Sequence, residues 1–160
     1  MREIQYDRYA AVYYARRWAF GRNPAFYDFE NIGGDCTNFA SQCIYAGCRV
    51  MNYTPTYGWY YISLERRAPA WTGVEYLRNF LVTNRSVGPY GEEVSKDAVM
   101  PGDIVQFGDS TGRFYHSPVV VATYPQILLA AHSNDVLDVP LSYYSYERIR
   151  FLHIIGARVW

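Results

Sequence analysis

Apolar positions in the first half of the chain recur at helical spacing; in the second half they gather into short runs bounded by turn residues. Tyr6 to about Phe20 reads as a helix. Tyr6, Tyr9, Tyr13 and Trp18 share its apolar stripe, and Arg8, Arg16 and Arg17 take other faces. Arg22, Asn23 and Pro24 end it. A loop with Gly33 and Gly34 leads into a second helix from Cys36 to about Ala46, with Asp35 as its cap and Gly47 as its left-handed end. Val50 to Ala70 shows no period but is rich in aromatic rings, and Val74 to Asn84 predicts a third helix on Tyr76, Leu77, Phe80 and Leu81. Strands follow at Asp103 to Phe107, Val119 to Thr123, Ile127 to Ala131 and Ile149 to Ile155, with Tyr124, Pro125 and Gln126 as a hairpin loop. Helices first and an antiparallel sheet afterwards predict an α+β fold.

The chain has 160 residues, 50% hydrophobic and 18% aromatic, which fits one core and one domain spanning 1–160. Fifteen basic and fifteen acidic residues cancel, so the electrostatic footprint of a nucleic-acid binder is missing. No apolar run reaches the roughly 18 to 20 residues of a membrane span, so no membrane partner is expected. The N-terminal residues mix charge and tyrosine from the start and do not read as a signal peptide. This predicts a cytoplasmic protein by default, or an extracellular one whose export segment is missing from the chain. Lys96 is the one lysine beside 14 arginines, which predicts stacking of guanidinium groups on aromatic rings or reflects a GC-rich codon bias.

Three cysteines, Cys36, Cys43 and Cys48, are too few and too odd in number for a disulfide framework. Their intervals do not fit zinc pairs, which lie two to four apart, so neither a metal nor a cofactor is expected. Cys36 is the candidate for chemistry. At a helix start it meets the positive end of the helix dipole, which favours a thiolate. The amides there, with that of Cys36, are placed to hold an oxyanion, and Gly33 and Gly34 allow substrate to approach the backbone. Cys43 lies roughly 10 Å further along the axis and reads as core.

A nucleophilic thiol needs a base, and the chain has three histidines, His116, His132 and His153. A hairpin register that pairs Thr123 with Ile127 puts Asn134 opposite His116 and His132 diagonal to it on the same face. A bulge at Pro118 would shift this parity. His153 reads as an ordinary strand residue. Asp135 and Asp138 follow His132 and either orient a histidine or cap turns.

The run Gly33-Gly34-Asp35-Cys36-Thr37-Asn38-Phe39-Ala40-Ser41-Gln42-Cys43 resembles the signature of the putative amidase domain family of Gram-positive bacteria. The resemblance extends over Arg22-Asn23-Pro24, Trp59-Tyr60-Tyr61, Trp71-Thr72-Gly73-Val74, Pro101-Gly102-Asp103-Ile104-Val105-Gln106, Tyr115-His116-Ser117 and Ala130-Ala131-His132-Ser133-Asn134-Asp135. That family is similar to the NlpC-type and CHAP-type cell-wall hydrolases with their papain-like thiol fold.

What the resemblance implies is a catalytic set of Cys36, His116 and a third polar residue. His132 matches the NlpC-type pattern, whereas Asn134 or Asp135 matches the CHAP-type one. It also implies a peptide or peptidoglycan-fragment substrate. Gly34, Asp35, Asn134 and the aromatic rings Trp59 and Trp71 are the expected substrate contacts, although such rings also serve as core. An acyl- or peptidyl-transferase on the same thiol, and a non-catalytic wall- or peptide-binding module, are the alternatives. Oligomeric state is not legible.

Overall fold

A computed structural model describes residues 1–160. The short strand β1 (Arg2–Ile4) precedes four helices: α1 (Arg8–Trp18), α2 (Cys36–Cys48), α3 (Pro69–Thr72) and α4 (Val74–Thr83). Seven strands follow: β2 (Gly88–Val94), β3 (Ile104–Gly108), β4 (Phe114–His116), β5 (Val119–Ala122), β6 (Leu128–Ala131), β7 (Val136–Pro140) and β8 (Arg148–Val159). All pairings are antiparallel, in the order β1-β8-β3-β5-β6-β7, with β2 also on β8 and β4 also on β3. The fold is α+β, as the pattern predicts. No helix is long and apolar enough to cross a membrane.

Alternation along the strands divides the core. Ile104, Val119, Val121, Leu152 and Ile154 face the helices and join the larger cluster with Phe39, Cys43, Trp59, Trp71 and Leu77. Val105, Phe107, Val120, Leu129 and Phe151 point the other way, into a smaller cluster with Val99 and Ile127. Gln106 and Ser117 are the polar exceptions on the helix-facing side, both buried.

The first helix differs from its expected stripe. Tyr9 and Tyr13 are 82% and 59% exposed, and Ala11 and Ala15 form the buried face. Small residues let α1 lie close on α2, so Tyr9 and Tyr13 turn outward, while Trp18 of the expected stripe packs against the core with Tyr14. Tyr6 is buried, but it precedes the helix. Its ring covers Gly47, where a Cβ would lie 2.3 Å from a ring carbon. Gly47 is therefore a packing glycine inside α2, and Arg49 takes the left-handed end at φ 60°. Guanidinium stacking is present: Arg150 lies 3.7 Å from the Phe114 ring centre and Arg158 3.8 Å from that of Tyr90. His153 is more than a strand residue. Its Nδ1 is 2.8 Å from buried Asp103, which also binds Arg8 at 2.7 Å and so ties α1 to β8.

Candidate active site

Cys36 opens α2 and is 9% exposed; His116, at the end of β4, is also 9% exposed. Cys43 and Cys48 are buried deeper, and all three thiols are free. The thiol and the imidazole are linked through their neighbours. The Ser117 backbone amide, next in chain to His116, acts on the Cys36 sulfur. The Tyr144 hydroxyl lies 3.4 Å from His116 Nε2, and its own ionisation is opposed by Cys36. Thr37, next to Cys36, donates to the hydroxyl of Ser117, next to His116, at 3.3 Å, so the two segments adjoin.

Burial dominates the charge balance of the pair. It pushes the Cys36 thiol up, against hydrogen bonds from the Thr37 hydroxyl and the Ser117 and Thr37 amides that favour the thiolate; Asp35 adds to the rise. Burial also pushes His116 down to about 4. Near neutral pH the thiol is protonated and the imidazole is neutral. The helix start does not by itself deliver the thiolate expected from the dipole, because desolvation outweighs it. The neutral form is the one a general base requires, although burial that holds it down to about 4 also makes the ring a weaker base than a free imidazole.

His132 does not hold His116. Its Nδ1 meets Asp35 Oδ2 at 2.5 Å and its Nε2 meets the Trp18 carbonyl at 2.7 Å. The expected hairpin register is displaced. Val119 pairs with Ala130 and Val120 with Leu129, and a bulge between Val120 and Ala122 brings Ala122 opposite Leu128. Continued outward, that register sets His132 opposite Ser117, on the other face from His116. His132 instead stacks on Phe39 of α2 at 4.0 Å.

Asp35 is likewise not a side-chain cap. Its carboxylate accepts from the Phe29 N–H at 2.8 Å, from Asn38 Nδ2 at 2.8 Å and from His132. Burial would raise this carboxyl, but those bonds outweigh it and hold it below the usual carboxylate range. Gly34 has φ +96°, and a Cβ there would meet Ser133 Oγ at 3.1 Å. Ser133 Oγ in turn accepts the Asp35 N–H at 3.1 Å. Glycine is therefore needed at 34 for the chain to enter α2 at this angle.

Trp59 and Trp71 are fully buried and belong to the core, which corrects their expected role as substrate contacts. They pack 4.6 Å apart against α2. Trp59 Nε1 donates to Ser41 Oγ at 3.0 Å, and Trp71 Nε1 donates to Asn38 Oδ1 at 2.9 Å. The second bond fixes the amide that holds Asp35. Of the loop before them, Tyr53 and Tyr57 are the exposed rings, at 61% and 85%. Asn134 is exposed at φ 62° and donates to the Tyr143 hydroxyl at 3.3 Å. Asp135 binds Arg22 at 2.9 Å. Neither touches His116.

Tyr144 is the neighbour of His116 that the sequence reading does not single out. It lies in Ser142-Tyr143-Tyr144-Ser145-Tyr146, where no period marks one ring over another. Its ring packs 4.8 Å from Phe107 and 5.3 Å from His116.

The chain is 32% identical to the uncharacterized protein YhbB of Bacillus subtilis (strain 168), an alignment covering 96% of the chain and 52% of that protein. It thus spans about half the length of that relative. No solved structure matches it. The family model described as "Putative amidase domain" matches residues 5–155, nearly the whole chain and all the site residues above, and the chain belongs to that family.

Proposed function

We propose that the chain is a thiol hydrolase that cleaves an amide bond through an acyl-enzyme on Cys36, built on a papain-like arrangement similar to that of NlpC-type and CHAP-type enzymes. The observation that carries this reading is a buried free thiol at a helix start whose neighbour Thr37 is hydrogen-bonded to Ser117, the residue after His116. The substrate class is a peptide or a peptidoglycan stem amide, and this part rests on the resemblance.

In this reading the neutral His116 takes the Sγ proton as the sulfur attacks the carbonyl carbon. The oxyanion forms beside the Cys36 amide at the start of α2, where the helix dipole favours negative charge. The C–N bond breaks as His116 returns the proton to the leaving nitrogen. Water then attacks the thioester with His116 again as base, releasing the acid and the free thiol. Tyr144 holds the imidazole through Nε2. His132 serves one step further away: it holds Asp35, and Asp35 with Asn38 holds the turn that presents the thiol.

Incubation with a purified peptidoglycan digest tests this, with mass spectrometry of the fragments. The expected result is new amine and carboxyl ends in equal amount, lost in Cys36→Ala. An unchanged digest, or cleavage that survives in Cys36→Ala, overturns the reading. Transfer to an added amine in place of hydrolysis converts it to a transferase.

A further inference from the structure

We propose that Thr37, Ser117 and Gln106 form a buried chain of hydrogen-bond donors, anchored on Arg150, whose two hydroxyls rotate toward Cys36 when its sulfur loses the proton and so stabilise the thiolate. This rests on the thiol-hydrolase reading and extends it to residues that touch no substrate.

The chain begins at an amide whose orientation is fixed. Gln106 is completely buried in β3, among apolar neighbours on the helix side. Its Nε2 donates to the Val74 carbonyl at 3.0 Å, and its Oε1 accepts from Arg150 Nε at 2.8 Å. A carbonyl can only accept and a guanidinium can only donate, so the amide cannot flip without losing both bonds. Its second Nε2 proton is therefore aimed permanently at Ser117 Oγ, 3.1 Å away.

Ser117 and Thr37 are both 1% exposed, and their hydroxyls lie 3.3 Å apart. Thr37 Oγ1 is 3.7 Å from Cys36 Sγ. In the thiol state Thr37 donates to Ser117, which then accepts twice and has its own proton to spare. Loss of the sulfur proton reverses the pair. Thr37 turns its O–H to the sulfur, and Ser117 turns its O–H to Thr37. No bond to hydrogen is broken; only two C–O torsions change. Every donor then points from the guanidinium toward the anion, and each bond polarises the next.

The groups facing the sulfur explain the need. Asp35, at the cap of α2, opposes a negative sulfur, and neither the neutral His116 on β4 nor the protonated Tyr144 supplies a positive charge to offset it. At the far end Arg150 is held by Glu75 at 3.0 Å and lies near Glu93 and Arg78. Thr37, Ser117 and Gln106 are positioning residues that act on the sulfur.

The test is the pH dependence of Cys36 alkylation by iodoacetamide, followed by peptide mapping. Loss of a hydrogen bond to a charged group raises the midpoint by about one pH unit. Thr37→Val is expected to do so and to slow alkylation near neutrality about tenfold. Thr37→Ser keeps the hydroxyl and is expected to keep the wild-type midpoint. Ser117→Ala and Gln106→Met are expected to move it in the same direction by less. Gln106→Met added to Thr37→Val is expected to move it no further, because the chain is already cut. A wild-type midpoint in Thr37→Val, or equal effects of Gln106→Met with and without Thr37, overturns the relay while leaving a reactive Cys36 and the hydrolase reading in place. A Cys36 that wild-type protein never alkylates overturns both.

Discussion

The carboxylate of Asp35 meets Nδ1 of His132 at 2.5 Å inside the protein, one residue before the thiol that opens α2. Both side chains are 1% exposed. Together with Asn38 and the Phe29 amide, His132 lets a charged group sit buried where the chain turns into the helix. Removing His132 takes the shortest of its hydrogen bonds from a buried carboxylate and leaves Arg22, at 3.6 Å, as the charge nearest to it.

His132→Ala is therefore expected to destabilise the protein by about 3–5 kcal/mol, read from urea unfolding. Asp35→Asn is expected to cost less when His132 is already alanine than when it is histidine. Additive losses in the double mutant contradict the pairing.

Tyr144 gives the opposite signature. Burial pushes its phenol well up, with Tyr143 and Cys36 adding to the shift, so the hydroxyl stays protonated near neutral pH. Tyr144→Phe keeps the ring against Phe107 and removes only the contact with His116. Turnover is expected to fall about tenfold to hundredfold, as for other supporting hydrogen bonds to a working histidine. KM is expected to stay unchanged. A pure rise in KM contradicts the assignment.

His116 leaves a mark on stability as well as on rate. Its folded pKa is about 4 against an ordinary 6.5, so between those values the unfolded chain binds a proton that the native ring does not. Stability from this group is complete above about pH 6.5 and is lost as pH falls toward 4, by up to about 3 kcal/mol. Urea midpoints for wild type and His116→Gln, compared from pH 7.5 to 4, check this. The variant is expected to gain on wild type with acidification; a constant difference contradicts a buried neutral ring.

Trp71→Phe separates core from substrate surface. It retains the stack on Trp59 but leaves Asn38 Oδ1 without its donor, deep in the protein. The expected loss is about 1–3 kcal/mol of stability, with KM unchanged for any substrate cleaved. A large rise in KM at full stability would return Trp71 to the substrate groove.

What could be read from the sequence follows from local physics. Asp35 and Cys36 at a helix start, helix α4, and strands β3, β5, β6 and β8 were legible because each has a period or a turn signal of its own. Strand β2 was not: Gly88-Pro89-Tyr90-Gly91-Glu92-Glu93-Val94 carries breakers and charges, and only pairing with β8 makes it extended. The role of His132 turned on a bulge of one residue between Val120 and Ala122, and a shift of one residue exchanges the faces of a strand. Tyr144 reaches His116 from 28 positions away, through a contact that no spacing encodes.

The central claim is that Cys36 is acylated with His116 as its base, and an activated ester tests it without knowledge of the natural substrate. Mixing the protein with p-nitrophenyl acetate is expected to release a burst of one p-nitrophenolate per chain, with the acetyl group found on Cys36 by peptide mapping. In His116→Ala the burst rate is expected to fall about 10²–10⁴-fold. An acetyl group on any other residue, or an equal burst rate without His116, would contradict the account.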